Sequence, residues 1–167
     1  MVAGNDILLK NIRSILADIT DPEIPVLTIN DLGIVRDVIV NDEQIEVIIT
    51  PTYSGCPAMD MIIMNIKFAL IGHGYDNVKI TPVLSPAWTT DWMSEEGKRK
   101  LKEYGIAPPN PKQQVCNDQL FAADEAVQCP HCNSYHTYRI SEFGSTACKA
   151  LYQCHDCKEP FDYFKCH

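Results

Sequence analysis

Residues 47–59, VIITPTYSGCPAM, join an apolar run to the start of an apolar helix through a short turn that contains one cysteine. The run begins with four β-branched residues, which favour a strand. Pro57 suits the first position of a helix, because the N–H that it lacks would have no intrahelical partner there. The stretch therefore predicts a strand–turn–helix junction with Cys56 near the helix N-cap.

The segments around this junction have helical or strand periodicity. Apolar residues recur at helical spacing near the N-terminus, over residues 5–19. The turn NDEQ then separates two runs that are rich in β-branched residues. The predicted elements are a helix at residues 5–19, strands at 32–40 and 45–50, a helix at 57–71, a strand at 78–84 and a helix at 94–104. This order predicts a compact α+β domain over residues 1–105.

The helix predicted at residues 57–71 is apolar on most of its sides. Such a helix is expected to be covered broadly, by its own sheet and by a second surface. Self-association as a homo-oligomer explains this pattern, and burial in the core explains it equally well.

The composition changes at residue 106. The segment IAPPNPKQQ has three prolines and no periodicity, which predicts a linker over residues 106–127. Two C-x-x-C pairs, CPHC and CHDC, follow with 21 residues between them, and their thiols belong to Cys129, Cys132, Cys154 and Cys157. Two such pairs close a tetrahedron around Zn²⁺. Residues 128–167 are therefore predicted to form a zinc ribbon, which is too small to fold without a structural metal.

The remaining C-terminal cysteines leave alternatives open. A thioredoxin-like redox pair is the competing interpretation of CPHC, but that motif needs a βαβ context, which the sequence does not show here. Cys148, Cys166 and His167 either form a second, weaker ligand set or are small core and surface residues. Cys116, in the predicted linker, belongs to no motif.

Net charge and hydropathy limit which molecules the protein binds and where in the cell it is expected. The formal charge of −8 argues against nucleic-acid binding, since phosphate contacts depend on Lys and Arg. The ribbon is neutral, and its aromatic residues either contact a protein partner or form its core. The N-terminus does not have the pattern of a signal peptide, and no apolar run approaches the ~20 residues that span a bilayer. The sequence predicts a cytoplasmic protein with reduced thiols and no membrane contact.

Cys56 stands apart from the ribbon cysteines. At a helix N-terminus its sulfur would face unpaired backbone N–H groups and the positive end of the helix dipole, which favour a thiolate, whereas Asp60 one turn later opposes this. A thiolate there is able to ligate iron, accept a persulfide or attack a carbonyl. The attack needs a base, and His73 lies about 25 Å away along the helix. A buried structural cysteine is the alternative.

Three segments carry a family resemblance: DPEIPVLTINDLGIVRDV, TPTYSGCPAM and VKITPVLSPAWTTDWMSEEGKRKL. Together they resemble the MIP-type iron–sulfur assembly domain of SufT-like proteins, over about residues 5–105. The resemblance implies a small α/β fold whose single cysteine, here Cys56, supports maturation or transfer of an iron–sulfur cluster. Asp21, Glu23 and Thr52 lie in the matching motifs and would line the same pocket, although Asp-Pro-Glu is also a typical helix-stop turn.

The ribbon narrows this resemblance. The run SEFGSTACKALYQC followed by KEPFDYFKC is similar to the PaaD family, the D components of phenylacetyl-CoA epoxidase systems. In these systems a di-iron oxygenase and an iron–sulfur flavin reductase carry out the chemistry. The resemblance implies a non-enzymatic maturation factor that delivers iron or a transient iron–sulfur cluster to these components and holds structural zinc in its ribbon. The alternatives are a bridging subunit that handles no metal, and a redox carrier with iron in the ribbon.

Overall fold

The computed structural model describes residues 2–41, 44–53, 55–109 and 127–165, without the side chains of residues 2–5. The chain divides into two compact units. The first comprises Met1–Trp88 with Trp92–Ser94, and the second comprises Thr89–Asp91 with Glu95–His167.

The first unit consists of two helices and a three-stranded sheet. Its elements are α1 (Val2–Ala17), β1 (Val35–Asn41), β2 (Gln44–Ile49), α2 (Ala58–Gly72) and β3 (Val78–Pro82). The central strand is β2, which pairs antiparallel with β1 and parallel with β3. The predicted order of helices and strands is confirmed, and only the ends of the elements shift.

Strand and helix periodicity place the core of this unit. In β2 every second residue is buried, namely Ile45, Val47 and Ile49. α2 buries one face, through Ala58, Ile62, Ile66 and Leu70. Burial in the core of one copy therefore accounts for one face of this apolar helix and not for its other face. No helix in the described part of the chain is both long and apolar enough to cross a membrane.

The second unit consists of one helix and a four-stranded sheet. Its elements are α3 (Glu95–Glu103), β4 (Ile106–Ala107), β5 (Thr137–Ser141), β6 (Lys149–Cys154) and β7 (Pro160–Phe164). The strand order is β4-β7-β6-β5, with β4 parallel to β7 and the other pairs antiparallel. Three of these strands, β5, β6 and β7, lie within the predicted zinc ribbon.

The start of the predicted linker forms part of this sheet. Ile106 and Ala107 are buried and constitute β4, which is too short to show any periodicity in the sequence. α3 lies in the second unit although its residues belong to the predicted domain 1–105. The linker residues 110–126 lie outside the described residues, so the predicted domain limits as a whole stay a prediction.

The ribbon aromatics mainly form a core. Tyr152, Phe161 and Tyr163 are buried together with Cys129 and Cys154. Tyr152 packs on Phe161 with ring centroids 5.9 Å apart and on Tyr163 at 5.6 Å. Exposed positions also occur, as at Tyr135. Of the two interpretations of these aromatics, the structure favours the core for most of them.

Candidate functional site

Cys56 lies in the turn between β2 and α2. Its backbone N–H donates to the Tyr53 carbonyl at 3.2 Å, and its own carbonyl accepts a hydrogen bond from the Met59 N–H at 3.3 Å. Pro57 is the N-cap of α2, so Cys56 precedes the cap by one residue. The Cys56 side chain is half-buried at the N-terminal end of the helix.

Two groups from the same stretch of chain hydrogen-bond the Cys56 sulfur. One is the side chain of Thr52, which is itself buried, and the other is the backbone N–H of Ala58, the first residue of α2. Hydrogen bonds to sulfur favour the thiolate over the thiol. The turn therefore supplies a partial stabilisation of negative charge on the sulfur.

Two acidic residues from the loop after α1 act on the same sulfur. The charges of Asp21 and Glu23 both affect the ionisation of Cys56. Asp21 is buried, and its Oδ1 accepts hydrogen bonds from the N–H groups of Glu23 and Ile24, each at 2.8 Å. This side-chain-to-backbone turn orders the loop. The charges of Asp21 and Glu23 thus reach Cys56, whose sulfur Thr52 also hydrogen-bonds. The pocket of these four residues that the family resemblance implies stays a prediction.

The pKa of Cys56 is raised above its ordinary value. Burial is the largest cause; the Ala58 N–H opposes it, and the charges of Glu23 and Asp21 raise the pKa further. The position at a helix N-terminus predicts the opposite direction. That prediction is wrong because desolvation and the two carboxylates outweigh the backbone donor. These causes favour the thiol over the thiolate.

The base required by a nucleophilic enzyme does not come from α2. His73 is the C-cap of that helix, at the end opposite Cys56, and its Nδ1 is 2.8 Å from the Ala69 carbonyl oxygen. The ring is therefore engaged at the far end of the helix, as the sequence predicts. This arrangement does not support acyl transfer by Cys56.

The four ribbon cysteines form a compact group of sulfurs. All four Sγ atoms lie within 4.8 Å of one another. Cys129 and Cys157 are 3.7 Å apart at Sγ, and Cys132 and Cys154 are 3.5 Å apart. A tetrahedral ion with Zn–S bonds of ~2.3 Å separates its ligand sulfurs by roughly 3.8 Å. The residues present therefore fit a metal ion, and the predicted metal-binding cysteines are brought together.

The two metal-binding loops have the same backbone conformation. In the first, the Asn133 N–H donates to the Cys129 carbonyl at 2.9 Å, and in the second the Lys158 N–H donates to the Cys154 carbonyl at 3.1 Å. Asn133 and Lys158 both adopt positive φ values, of 62° and 65°. Each loop thus closes through a left-handed residue four positions after its first cysteine.

The four ribbon thiols can all lose their protons only when a cation is bound among them. The backbone N–H of Cys157 is the main cause that lowers the pKa of Cys154 to about 7. The Glu159 N–H favours the thiolate of Cys157, but burial and the other sulfurs raise its pKa to about 12. Four sulfurs this close cannot all ionise without a cation, so metal binding must release protons.

Among the described cysteines of the second unit, Cys148 lies outside this group. Cys148 is buried, and its Sγ lies 3.0 Å from Thr146 Oγ1, as expected of a small core residue. In the described part of the chain, the four ribbon cysteines form the one cluster of metal-ligating side chains. Cys116, Cys166 and His167 lie outside the described residues.

Two features of the first unit escape sequence reasoning. The Ala58 N–H is a backbone donor, which side-chain identity does not reveal. Thr50 ends the apolar run of β2, and its buried Oγ1 has no hydrogen-bond partner among the described residues. A Thr at the end of a run of Val and Ile is the sequence signal that could have drawn attention to it.

Comparison with known proteins finds a matching family model for each of the two predicted domains. The family model described as an iron–sulfur cluster assembly protein matches residues 9–81, and the PaaD zinc beta ribbon domain matches residues 113–165. A domain of unknown function, DUF59, from Bacillus anthracis superposes with a TM-score of 0.54 and 25% identity, covering 57% of this chain and 92% of that one. The predicted fold, an α+β assembly domain followed by a four-cysteine ribbon, is confirmed.

Two relatives extend this similarity. An Fe-S protein maturation auxiliary factor from Porphyromonas gingivalis is 37% identical over 55% of this chain and 89% of its own length. A protein from Escherichia coli, named as a subunit of a putative 1,2-phenylacetyl-CoA epoxidase, is 52% identical over 95% of this chain and 93% of its own length. Since both domain types and nearly the whole length agree, this chain belongs to the PaaD family.

Proposed function

We propose that this chain is a non-enzymatic maturation factor for a phenylacetyl-CoA epoxidase, and that it delivers iron or an iron–sulfur cluster to the oxygenase and reductase components. One observation carries the proposal: Thr52 hydrogen-bonds the Cys56 sulfur, and the charges of Asp21 and Glu23 act on the same sulfur. The names of the two relatives support it, one as an epoxidase subunit and the other as a maturation factor.

The charges around Cys56 suit an iron cargo. Cys56 supplies one sulfur ligand, and the negative charges of Asp21 and Glu23, which act on that sulfur, attract a cation to it. When Fe²⁺ binds, the Cys56 thiol releases its proton and a sulfur–iron bond forms, while the positive charge offsets the two carboxylates. The hydrogen bonds from Thr52 and Ala58 then stabilise the metal-bound sulfur.

The raised pKa makes this binding transient. Because the unloaded sulfur prefers its proton, reprotonation favours release of the cargo to a client. Cys56 offers one sulfur to the cargo, whereas the ribbon offers four to its metal. We therefore assign Cys56 to a carrier and not to a resident metal site.

The ribbon has a separate role in this proposal. Its four sulfurs are spaced for one tetrahedral ion, and we assign zinc as a structural metal that holds the second unit folded and lets it dock on the client. An iron-loaded ribbon would instead make the protein a redox carrier. Iron–thiolate sites absorb visible light and zinc sites do not, so the absorption spectrum of the purified protein distinguishes the two.

The test compares epoxidase components co-expressed with no partner, with this protein, with Cys56→Ala, and with Cys148→Ala as a matched control. Iron, sulfide and epoxidase activity are measured in the purified components. We expect this protein and Cys148→Ala to restore all three, and Cys56→Ala to restore none. Full iron content in every sample, with only activity dependent on the protein, would assign it a bridging role instead.

A further inference from the structure

We propose that the exposed face of α2 is an interface between two copies of this chain, packed antiparallel about a twofold axis. This inference goes beyond the proposed function. Four large apolar side chains on that face are half-exposed or more: Met61 at 51%, Met64 at 49%, Phe68 at 65% and Ile71 at 46%. One helix thus presents an unusual concentration of apolar surface.

The spacing of these residues makes them one continuous stripe. Steps of three, four and three residues keep their side chains on one side of a helix over about 15 Å of its length. The opposite side is the buried face described above. The stripe belongs neither to the core of the first unit nor to the Cys56 site, so neither role accounts for it.

The charges at the edge of the stripe favour a second copy of this chain as the binding partner. Asp60 and Lys67 are seven residues apart, so both lie along the same edge of the helix, about 10 Å from each other along its axis. Neither forms an ion pair with another residue in the described part of the chain. The edge therefore carries one negative and one positive charge.

A twofold axis perpendicular to α2 pairs these charges. Rotation reverses the helix and keeps the edge on the same side, so Asp60 of each copy approaches Lys67 of the other. A twofold axis parallel to α2 would place the charged edges of the two copies on opposite sides of the interface, where neither Asp60 nor Lys67 would gain a partner from the other edge. An isologous contact of this kind needs only one self-complementary surface, which the stripe and its charged edge provide. Two methionines adapt easily to such packing.

The arrangement separates the two cysteine sites. Because Cys56 precedes α2 and the helices run antiparallel, the two Cys56 residues lie on opposite sides of the twofold axis, on the order of 20 Å apart along the helix direction.

The test measures the mass of the full-length chain across a concentration series by light scattering or sedimentation. We expect a concentration-dependent dimer, and Phe68→Glu should weaken it at least about tenfold. Ile39→Glu is the matched control, because Ile39 is an exposed residue of β1 on the sheet face opposite buried Val38, and it should leave the dimer unchanged.

A charge exchange tests the geometry. Asp60→Lys and Lys67→Asp should each weaken the dimer several-fold, and the double variant Asp60→Lys/Lys67→Asp should restore it to near the original affinity. A wild-type chain that remains monomeric at all concentrations overturns the proposal. If Phe68→Glu then also abolishes iron loading of the epoxidase components, the stripe binds a client instead. Additive loss in the double variant overturns the antiparallel pairing.

Discussion

The Oδ1 atom of Asp21 accepts a hydrogen bond from the Glu23 N–H at 2.8 Å, so one acidic residue of the cysteine site positions the other. The same oxygen also accepts from the Ile24 N–H at 2.8 Å. Asp21 therefore has two separable properties, a hydrogen-bond acceptor that orders the loop and a charge that acts on Cys56. Substitutions are able to remove one property at a time.

Asp21→Asn should lower the pKa of Cys56. Asn keeps an oxygen acceptor for the loop but removes a negative charge that raises this pKa. A lower pKa increases the thiolate fraction at neutral pH, so alkylation of Cys56 should become faster and its pH profile should move to lower pH. Mass spectrometry of the Cys56 peptide measures this rate separately from that of the metal-bound cysteines.

The control for this change is Asp21→Ala, which removes the charge and the acceptor together. It should also lower the pKa, but at a cost of about 1–3 kcal/mol in stability, because two loop N–H groups lose a partner. An alkylation profile that is the same in Asp21→Asn and in the wild-type chain would contradict the electrostatic account of the site.

Cys154→Ser should abolish metal binding by the ribbon. One of the four sulfurs is lost, and the second unit depends on the metal because its core is small. Elemental analysis should show loss of the bound ion, and thermal unfolding should lose the transition of the second unit. Acidification should release the same metal from the wild-type chain, since protons compete with the ion for the thiolates.

The matched control is Cys148→Ser. Cys148 is buried in the same unit but lies outside the sulfur cluster. Its substitution should keep the full metal content and cost at most a modest amount of stability. Loss of metal in this variant would show that Cys148 belongs to the ligand set after all.

Gly33→Ala should destabilise the first unit by more than about 2 kcal/mol. Gly33 has a φ of +68°, and an added Cβ would lie 2.4 Å from the Trp92 carbonyl oxygen. Gly72→Ala is the contrasting change at the end of α2, where an added Cβ meets nothing within 4 Å. It should be neutral or slightly stabilising. Chemical denaturation of the two variants checks both expectations, and equal effects would contradict this explanation.

Thr50→Val should stabilise the first unit by about 1 kcal/mol, because it removes a buried hydroxyl that has no partner in the described residues. Thr52→Val is the matched comparison two residues later. Its hydroxyl bonds the Cys56 sulfur, so its loss should raise the pKa of Cys56 rather than add stability. Denaturation and Cys56 alkylation, measured on both variants, separate the two threonines.

The local part of this structure could be predicted from the sequence. The β-branched run of β2 and the apolar period of α2 are properties of neighbouring residues, and the spacing of the C-x-x-C pairs specifies a metal site directly. Long-range partners are different. Ile45 pairs in parallel with Val78, and nothing in either strand alone names the other as its neighbour.

The electrostatics of Cys56 could not be predicted for the same reason. Its helix position is visible in the sequence, but Glu23 reaches it from 33 residues earlier in the chain. Burial has the largest effect on its pKa, and burial is a property of the folded unit as a whole. Motif resemblance could group these residues, but it could not give the direction in which they shift the thiol.

The pairing of β4 with β7 has a kinetic consequence. Ile106 pairs with Asp162, 56 residues later in the chain. Contacts between residues so far apart in sequence form slowly, because a long loop must close first. Once the ion links Cys129 to Cys157, the loop that remains to be closed is roughly halved, which lowers its entropic cost by about 0.6 kcal/mol. Binding of the ion should therefore speed the pairing of an edge strand that supplies none of its ligands, and amide exchange at Ala107 should slow only after the ion has bound.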